Sequence, residues 1–337
     1  MTSPRFLYAT HDAEPARTLY VDGTVAGFRS LSHWPGNSTP DLLKRDLSTG
    51  IALAWAALPE AERVRQTGCF DQLANNHYDT DGVLSAWAVL QPGKALAAKD
   101  LLLRAAATGD FGTWHGADAL ALELIIMGLP DHPASPLAPT PDLPPEVRKA
   151  NCYAWCFEHL PSLIAEPFAH VEPWEERMKA ILRDIERVDQ QDGVTINQEP
   201  ALDFAVVLSN HPHTRLGLNH AAGSCHRVLL AQQDGSGTRC RFLYRVESWF
   251  DLGTRAVSPR ISLDRLVCTL NERETNKHDK ACWWVNSLDQ PVAQMGFSNP
   301  DLAGDGFSQD MSPGDFPASA IPLEEIVALL RQALANG

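Results

Sequence analysis

The stretch Ala74–Leu90, ANNHYDTDGVLSAWAVL, carries three potential ligand side chains, a glycine and an apolar run in immediate succession. In an extended chain alternate side chains share a face, so this spacing brings His77, Asp79 and Asp81 together and turns Tyr78 and Thr80 away. Gly82 allows the backbone to turn sharply or approach a ligand, and a helix opening near Val83 would present unpaired amides beside the cluster. Two carboxylates and an imidazole suit a hard divalent cation, manganese, magnesium or iron, better than a thiolate-type zinc site. Burying those carboxylates without a cation would cost on the order of several kcal/mol. The same DTDG letters also make an ordinary Asx turn and helix cap, in which Asp79 and Asp81 satisfy backbone amides. The spaced acceptors and terminal glutamate of an EF-hand loop are absent.

The string HYDTDGVLSAW resembles the first metal-binding motif of the DHH-type phosphoesterases, a superfamily of manganese-dependent hydrolases. The resemblance implies metal-ligand roles for His77, Asp79 and Asp81, with Gly82 and Ser85 in the close-packed turn and helix. AAATGDFGTW is similar to the family's segment in which a helix leads to an isolated ligand aspartate, which points to Asp110; a plain Gly-Asp turn reads equally well. The Asp-His-His triplet that names the family is missing, its nearest counterpart being Asp131-His132 between prolines. In LSHWPGNSTP, His33 and Asn37 precede an expected helix and are candidates for the active cleft, against a capping loop with Trp34 in the core. Trp114, close to Asp110, is a candidate pocket wall.

The smaller α/β domain that such enzymes add over the substrate has a loose counterpart in residues 258–297. There the resemblance implies that Arg260 and Lys277 or His278 face an anionic substrate, arginine being suited to paired contacts with phosphate oxygens; solvated loop charges are the alternative. His211, His213, His220 and His226 crowd one short stretch, where turn and helix-boundary positions explain them better than a separate metal site.

Ala- and Leu-rich segments predict helices from about Thr39 to Leu58 and over Val83–Leu90, Ala95–Ala107 and Ala117–Leu129, then over Val147–Leu160 and Glu172–Val188. After Asp189, ALDFAVVLS, HRVLLAQ, RCRFLYRVESWF and ACWWVNS read as strands, ISLDRLVCTLNERE and LEEIVALLRQAL as helices. The expected fold is α/β: a helix-rich N-terminal lobe with a parallel-sheet core and a smaller mixed α/β C-terminal domain. The expected organisation is a metal-site lobe over residues 1–129, a proline-rich linker over 130–146, a helical connector over 147–190 and a substrate-facing domain over 191–337. A chain of 337 residues agrees with two domains at about 150 residues each.

The net charge of −14 argues against a surface built to grip a long nucleic acid, and leaves room for a small anionic substrate met by a metal or a few arginines. The seven cysteines are an odd number without close pairs beyond Cys152 and Cys156, so no disulfide scaffold is indicated. No apolar run is long enough for a membrane span, and MTSPRFLYAT lacks a secretory pattern, so cytoplasm is the expected compartment. The leading functional reading is a metal-dependent hydrolase of a phosphoester or phosphoanhydride in a small phosphorylated metabolite or short nucleotide. Its Mn2+, with Mg2+ or Fe2+ as alternatives, would be held by His77, Asp79, Asp81 and Asp110. A different metal-dependent reaction on the same scaffold and a noncatalytic small-molecule-binding protein are the alternatives, and the sequence leaves oligomeric state open.

Overall fold

The computed structural model describes residues 4–8, 13–137, 142–276, 280–302 and 310–337. The chain forms two compact α/β units: residues 1–179 with 250–256, and residues 180–249 with 257–337. The described residues of the proline-rich stretch, 130–137 and 142–146, belong to the first unit, as does the long helix after them.

The first unit has a four-stranded, all-parallel sheet in the order β1 (Arg5–Tyr8), β4 (Gln72–Asn75), β2 (Thr18–Val21), β3 (Arg29–Leu31). Its helices are α1 (Ser48–Ala56), α2 (Glu60–Thr67), α3 (Thr80–Leu90), α4 (Pro92–Ala97), α5 (Lys99–Asp110), α6 (Ala117–Gly128) and α7 (Pro145–Ala165). All four residues of β2 are buried, as expected of a central strand in a parallel sheet. Helix α3 is buried from Thr80 to Val89, which explains why its apolar residues run almost continuously instead of forming one stripe. Full burial of Trp87 contributes roughly 2–3 kcal/mol to holding α3 inside the unit.

The helix expected from Thr39 starts later, at Ser48, after a short 3-10 turn over Asp41–Leu43. Both carboxylate oxygens of Asp81 accept amides there, from Ser48 and Thr49 at 2.7 Å each, so the helix begins where a distant acid caps it. Helix α3 begins at Thr80, earlier than Val83, because Asp79 caps it by accepting the Gly82 amide at 2.7 Å.

Helix α8 (Glu175–Gln190) leads into the second unit. There a six-stranded mixed sheet runs in the order β5 (Val194–Glu199), β6 (Phe204–Ser209), β7 (Arg227–Asp234), β8 (Gly237–Tyr244), β10 (Gln294–Ser298), β9 (Cys282–Val285). Among the described residues of this sheet only β6 and β7 pair in parallel, joined by the crossover helix α9 (Arg215–Ala222). Helices α10 (Asp264–Arg273) and α11 (Leu323–Asn336) send Leu266, Leu270, Ile326 and Leu330 into a core with Phe242, Trp283 and Phe297. No described helix is long and apolar enough to cross a membrane.

Candidate metal centre

The carboxyl ends of β2, β3 and β4 deliver acids and histidines to one place, where ligands of parallel α/β sheets are generally found. Asp22 directly follows β2, in the left-handed region at φ 47° and fully buried. His33 lies just beyond β3, and His77 and Asp79 follow β4 in a turn, not in a continued strand. Asp81 stands in the first turn of α3, and Asp110 is the last residue of α5.

These side chains make two ligand sets: Asp22, His33, Asp81 and Asp110, all buried, and Asp22 with half-buried His77 and Asp79; within each, one ligand atom per residue lies within 4.8 Å of the others. They form a buried cluster positioned to chelate a metal ion. Asp22 belongs to both sets: Oδ1 is 3.5 Å from His33 Nε2, and Oδ2 is 2.9 Å from His77 Nε2. His33 Nε2 is also 3.1 Å from Asp110 Oδ2 and 3.7 Å from Asp81 Oδ2; Asp79 Oδ2 is 3.0 Å from His77 Nε2.

The donor set fits a cation. Asp22 Oδ1 and His33 Nε2 are buried without a well-directed hydrogen bond. His33 Nδ1 donates to the Asp46 carbonyl at 2.6 Å, and its ring stacks on Phe250 with centroids 3.8 Å apart, so Nε2 is held facing three carboxylates. An imidazole whose other nitrogen donates to a carbonyl is the usual support for a metal ligand. Asp81 keeps a lone pair on each oxygen after its two amide bonds.

Without an ion, protons must offset this charge. Burial pushes Asp81 up to about 7, aided by the Asp22 charge and opposed by His33 and Thr49. Burial and neighbouring Asp81 likewise raise Asp110 well above the usual carboxylate range. Burial resists ionisation of Asp22, but His77 and His33 outweigh it and hold that carboxyl well below its ordinary value. Burial also resists charging of His33 and His77; bonds and charges from Asp110 and Asp22 around His33, and from Asp79 and Asp22 around His77, raise both.

A family model described as Family of unknown function (DUF6687) matches residues 3–337. The chain belongs to this family. No curated protein and no solved structure matches it.

In this DUF6687 chain His77, Asp79, Asp81 and Asp110 do come to one region, but alternate spacing does not aim the first three at a single point. His77 and Asp79 join one ligand set and Asp81 the other, because the helix starts between them. His33, expected in the active cleft, is a central member of the cluster. Asn37 orders its own loop, donating to the Trp34 carbonyl at 2.8 Å and Asp251 at 3.1 Å. Trp114 is half-buried in the loop between α5 and α6. Arg260 donates to Ser248 and to the Leu288, Gln290 and Pro291 carbonyls. Lys277 and His278 lie outside the described residues. Asp131 is largely exposed beside Arg148, and His132 packs near Trp174; neither belongs to the cluster, so they are not a displaced Asp-His-His triplet.

Sequence reasoning missed Asp22. Its only local signal is an acid before glycine at the end of a short apolar run, TLYVDG.

Proposed function

We propose that this protein is a divalent-metal-dependent hydrolase acting on a phosphoester or phosphoanhydride of a small phosphorylated metabolite or short nucleotide. The observation carrying this reading is Asp22, one buried carboxylate shared between two ligand sets. Mn2+ is the preferred ion, with Mg2+ and Fe2+ compatible with carboxylate and imidazole ligands. Asp22, His33, Asp81 and Asp110 would hold one ion, and Asp22, His77 and Asp79 a second. Ions so placed supply Lewis-acid polarisation of phosphoryl oxygens and activation of the attacking water.

The chain itself fixes the ligands before substrate arrives. Asp46 and Phe250 orient His33, the α1 amides orient Asp81, and the Gly82 amide holds Asp79. Tyr153 Oη donates to the His77 carbonyl at 3.0 Å and steadies the turn. Such preorganisation avoids moving charged side chains as the reaction proceeds. The likeness of HYDTDG to the DHH-type phosphoesterases supports this reading; Asp22 and His33 would then supply donors that the missing triplet does not.

The test is turnover of a panel of phosphorylated metabolites and dinucleotides by protein loaded with Mn2+. Metal-stimulated phosphate or mononucleotide release, lost in Asp110→Asn, is expected. No turnover of any member by fully loaded protein would favour a binding role instead.

A further inference from the structure

Residues 250–256 belong to the unit that holds the metal centre, although the chain on both sides of them belongs to the second unit. This strap is fastened to the segment that carries His33. Phe250 stacks on the His33 ring, with centroids 3.8 Å and planes 14° apart, and the Asp251 amide donates to the His33 carbonyl at 2.7 Å. Thr254 clips Asp46: its amide donates to Oδ1 and its hydroxyl to Oδ2, each at 2.7 Å. A Cβ at residue 253 would stand 2.6 Å from the Arg45 nitrogen, so the strap lies directly against the loop before Asp46 and glycine is required for the approach. Arg255 crosses Phe111, the residue after Asp110, with Cζ 5.2 Å from the ring centroid.

Asp46 lies in the bend between the 3-10 turn and α1, outside any helix or strand. Its carbonyl faces His33 Nδ1 at 2.6 Å. A carbonyl only accepts, so Nδ1 carries the proton and Nε2 is the nitrogen left for an ion. The Thr254 clip fixes the residue that supplies this carbonyl, and the Phe250 stack fixes the plane of the ring. The second ligand set is supported differently: His77 Nδ1 faces Asn76 at 3.2 Å, and Asp79 accepts the Gly82 amide. None of these partners is in the strap.

We infer that the strap from Phe250 to Thr254 positions His33 for the first ion alone, with Phe250 acting on the ring directly and Thr254 acting through Asp46. The inference rests on the metal reading given above and adds a dependence to it: the first ligand set is complete only with this later segment of the chain in place, and the second set does not need it. Removing the group that supports a ligating imidazole typically weakens metal binding about ten- to a hundredfold.

The test is Mn2+ titration of full-length protein, read from the electron paramagnetic resonance of the free ion, in two backgrounds. Asp79→Asn leaves the first set intact and Asp110→Asn the second. Asp46→Ala deletes both clips but keeps the carbonyl, and should raise the first-set Kd about tenfold or more. Thr254→Val removes only the hydroxyl and should raise it about fivefold, whereas Thr254→Ser should hold the original value. The second-set Kd should not change in any of the three. First-set affinity unaltered by Asp46→Ala and Thr254→Val, or weakened equally in both backgrounds, would overturn the role of the strap. Mn2+ bound in neither background would overturn the metal centre and this inference with it. Because binding is read without substrate, a lack of turnover alone would count against the hydrolase and leave the strap standing.

Discussion

Asp22→Asn should weaken metal binding at both ligand sets, whereas Asp110→Asn should weaken it at the first alone and Asp79→Asn at the second alone. The ligand atoms of each set lie within 4.8 Å of one another, so an ion held among them would be at most about 3 Å from each. At an effective dielectric of about 20, a divalent ion and one carboxylate at that distance attract by roughly 11 kcal/mol before desolvation. Desolvation of both partners returns several kcal/mol each, and the asparagine oxygen retains part of the interaction. A net loss of about 3 kcal/mol per set remains, close to a hundredfold in Kd. Asparagine tolerates the left-handed backbone at this position, so the fold should persist. Mn2+ binding followed by the electron paramagnetic resonance of the free ion reads affinity and stoichiometry together. Asp22→Asn with wild-type affinity at either set, while circular dichroism shows an intact fold, would refute a shared carboxylate.

Three further outcomes follow from the same geometry. In chelator, the raised Asp81, Asp110, His33 and His77 contribute stability that is full at low pH and declines as pH rises through their folded values, about 7 for Asp81. Lowered Asp22 acts oppositely and loses its contribution only in acid, so thermal melts should show Tm falling from about pH 5 to pH 8, and Mn2+ should abolish that fall. Gly82→Ala would put a Cβ 2.5 Å from Asn75 Nδ2 and 2.7 Å from Tyr153 Oη, and should cost about 1–3 kcal/mol in urea unfolding; an unchanged midpoint would contradict the packing described. Asp184→Ala leaves His213 and Thr214 without their shared acceptor and should cost about 2–4 kcal/mol in the same assay, a far larger loss than an exposed aspartate would show.

Asp81→Asn would not make a clean catalytic knockout. Both Asp81 oxygens accept α1 amides, and the substituted amide nitrogen would face an N–H. Loss of activity in that variant would mix a missing ligand with a displaced helix.

The α/β class, the helices after Val83 and the strands after Asp189 were legible because periodicity and turn chemistry act between near neighbours in the chain. His77, Asp79 and Asp81 were legible because closely spaced carboxylates beside an imidazole need a cation or a proton wherever they are buried, whereas Asp110 was singled out only by the likeness of its segment to the DHH-type motif. The strands before Leu31 were not read, since they are only three or four residues long and carry no complete alternation. Asp22 and the role of His33 belong to tertiary structure alone. Parallel pairing of β2 with β3 and β4 aligns strand ends that lie far apart in sequence and brings Asp22 to His77 and to His33, and the end of α5 brings Asp110 to His33. Local chemistry can nominate a ligand, but which ligands share an ion is decided by sheet order.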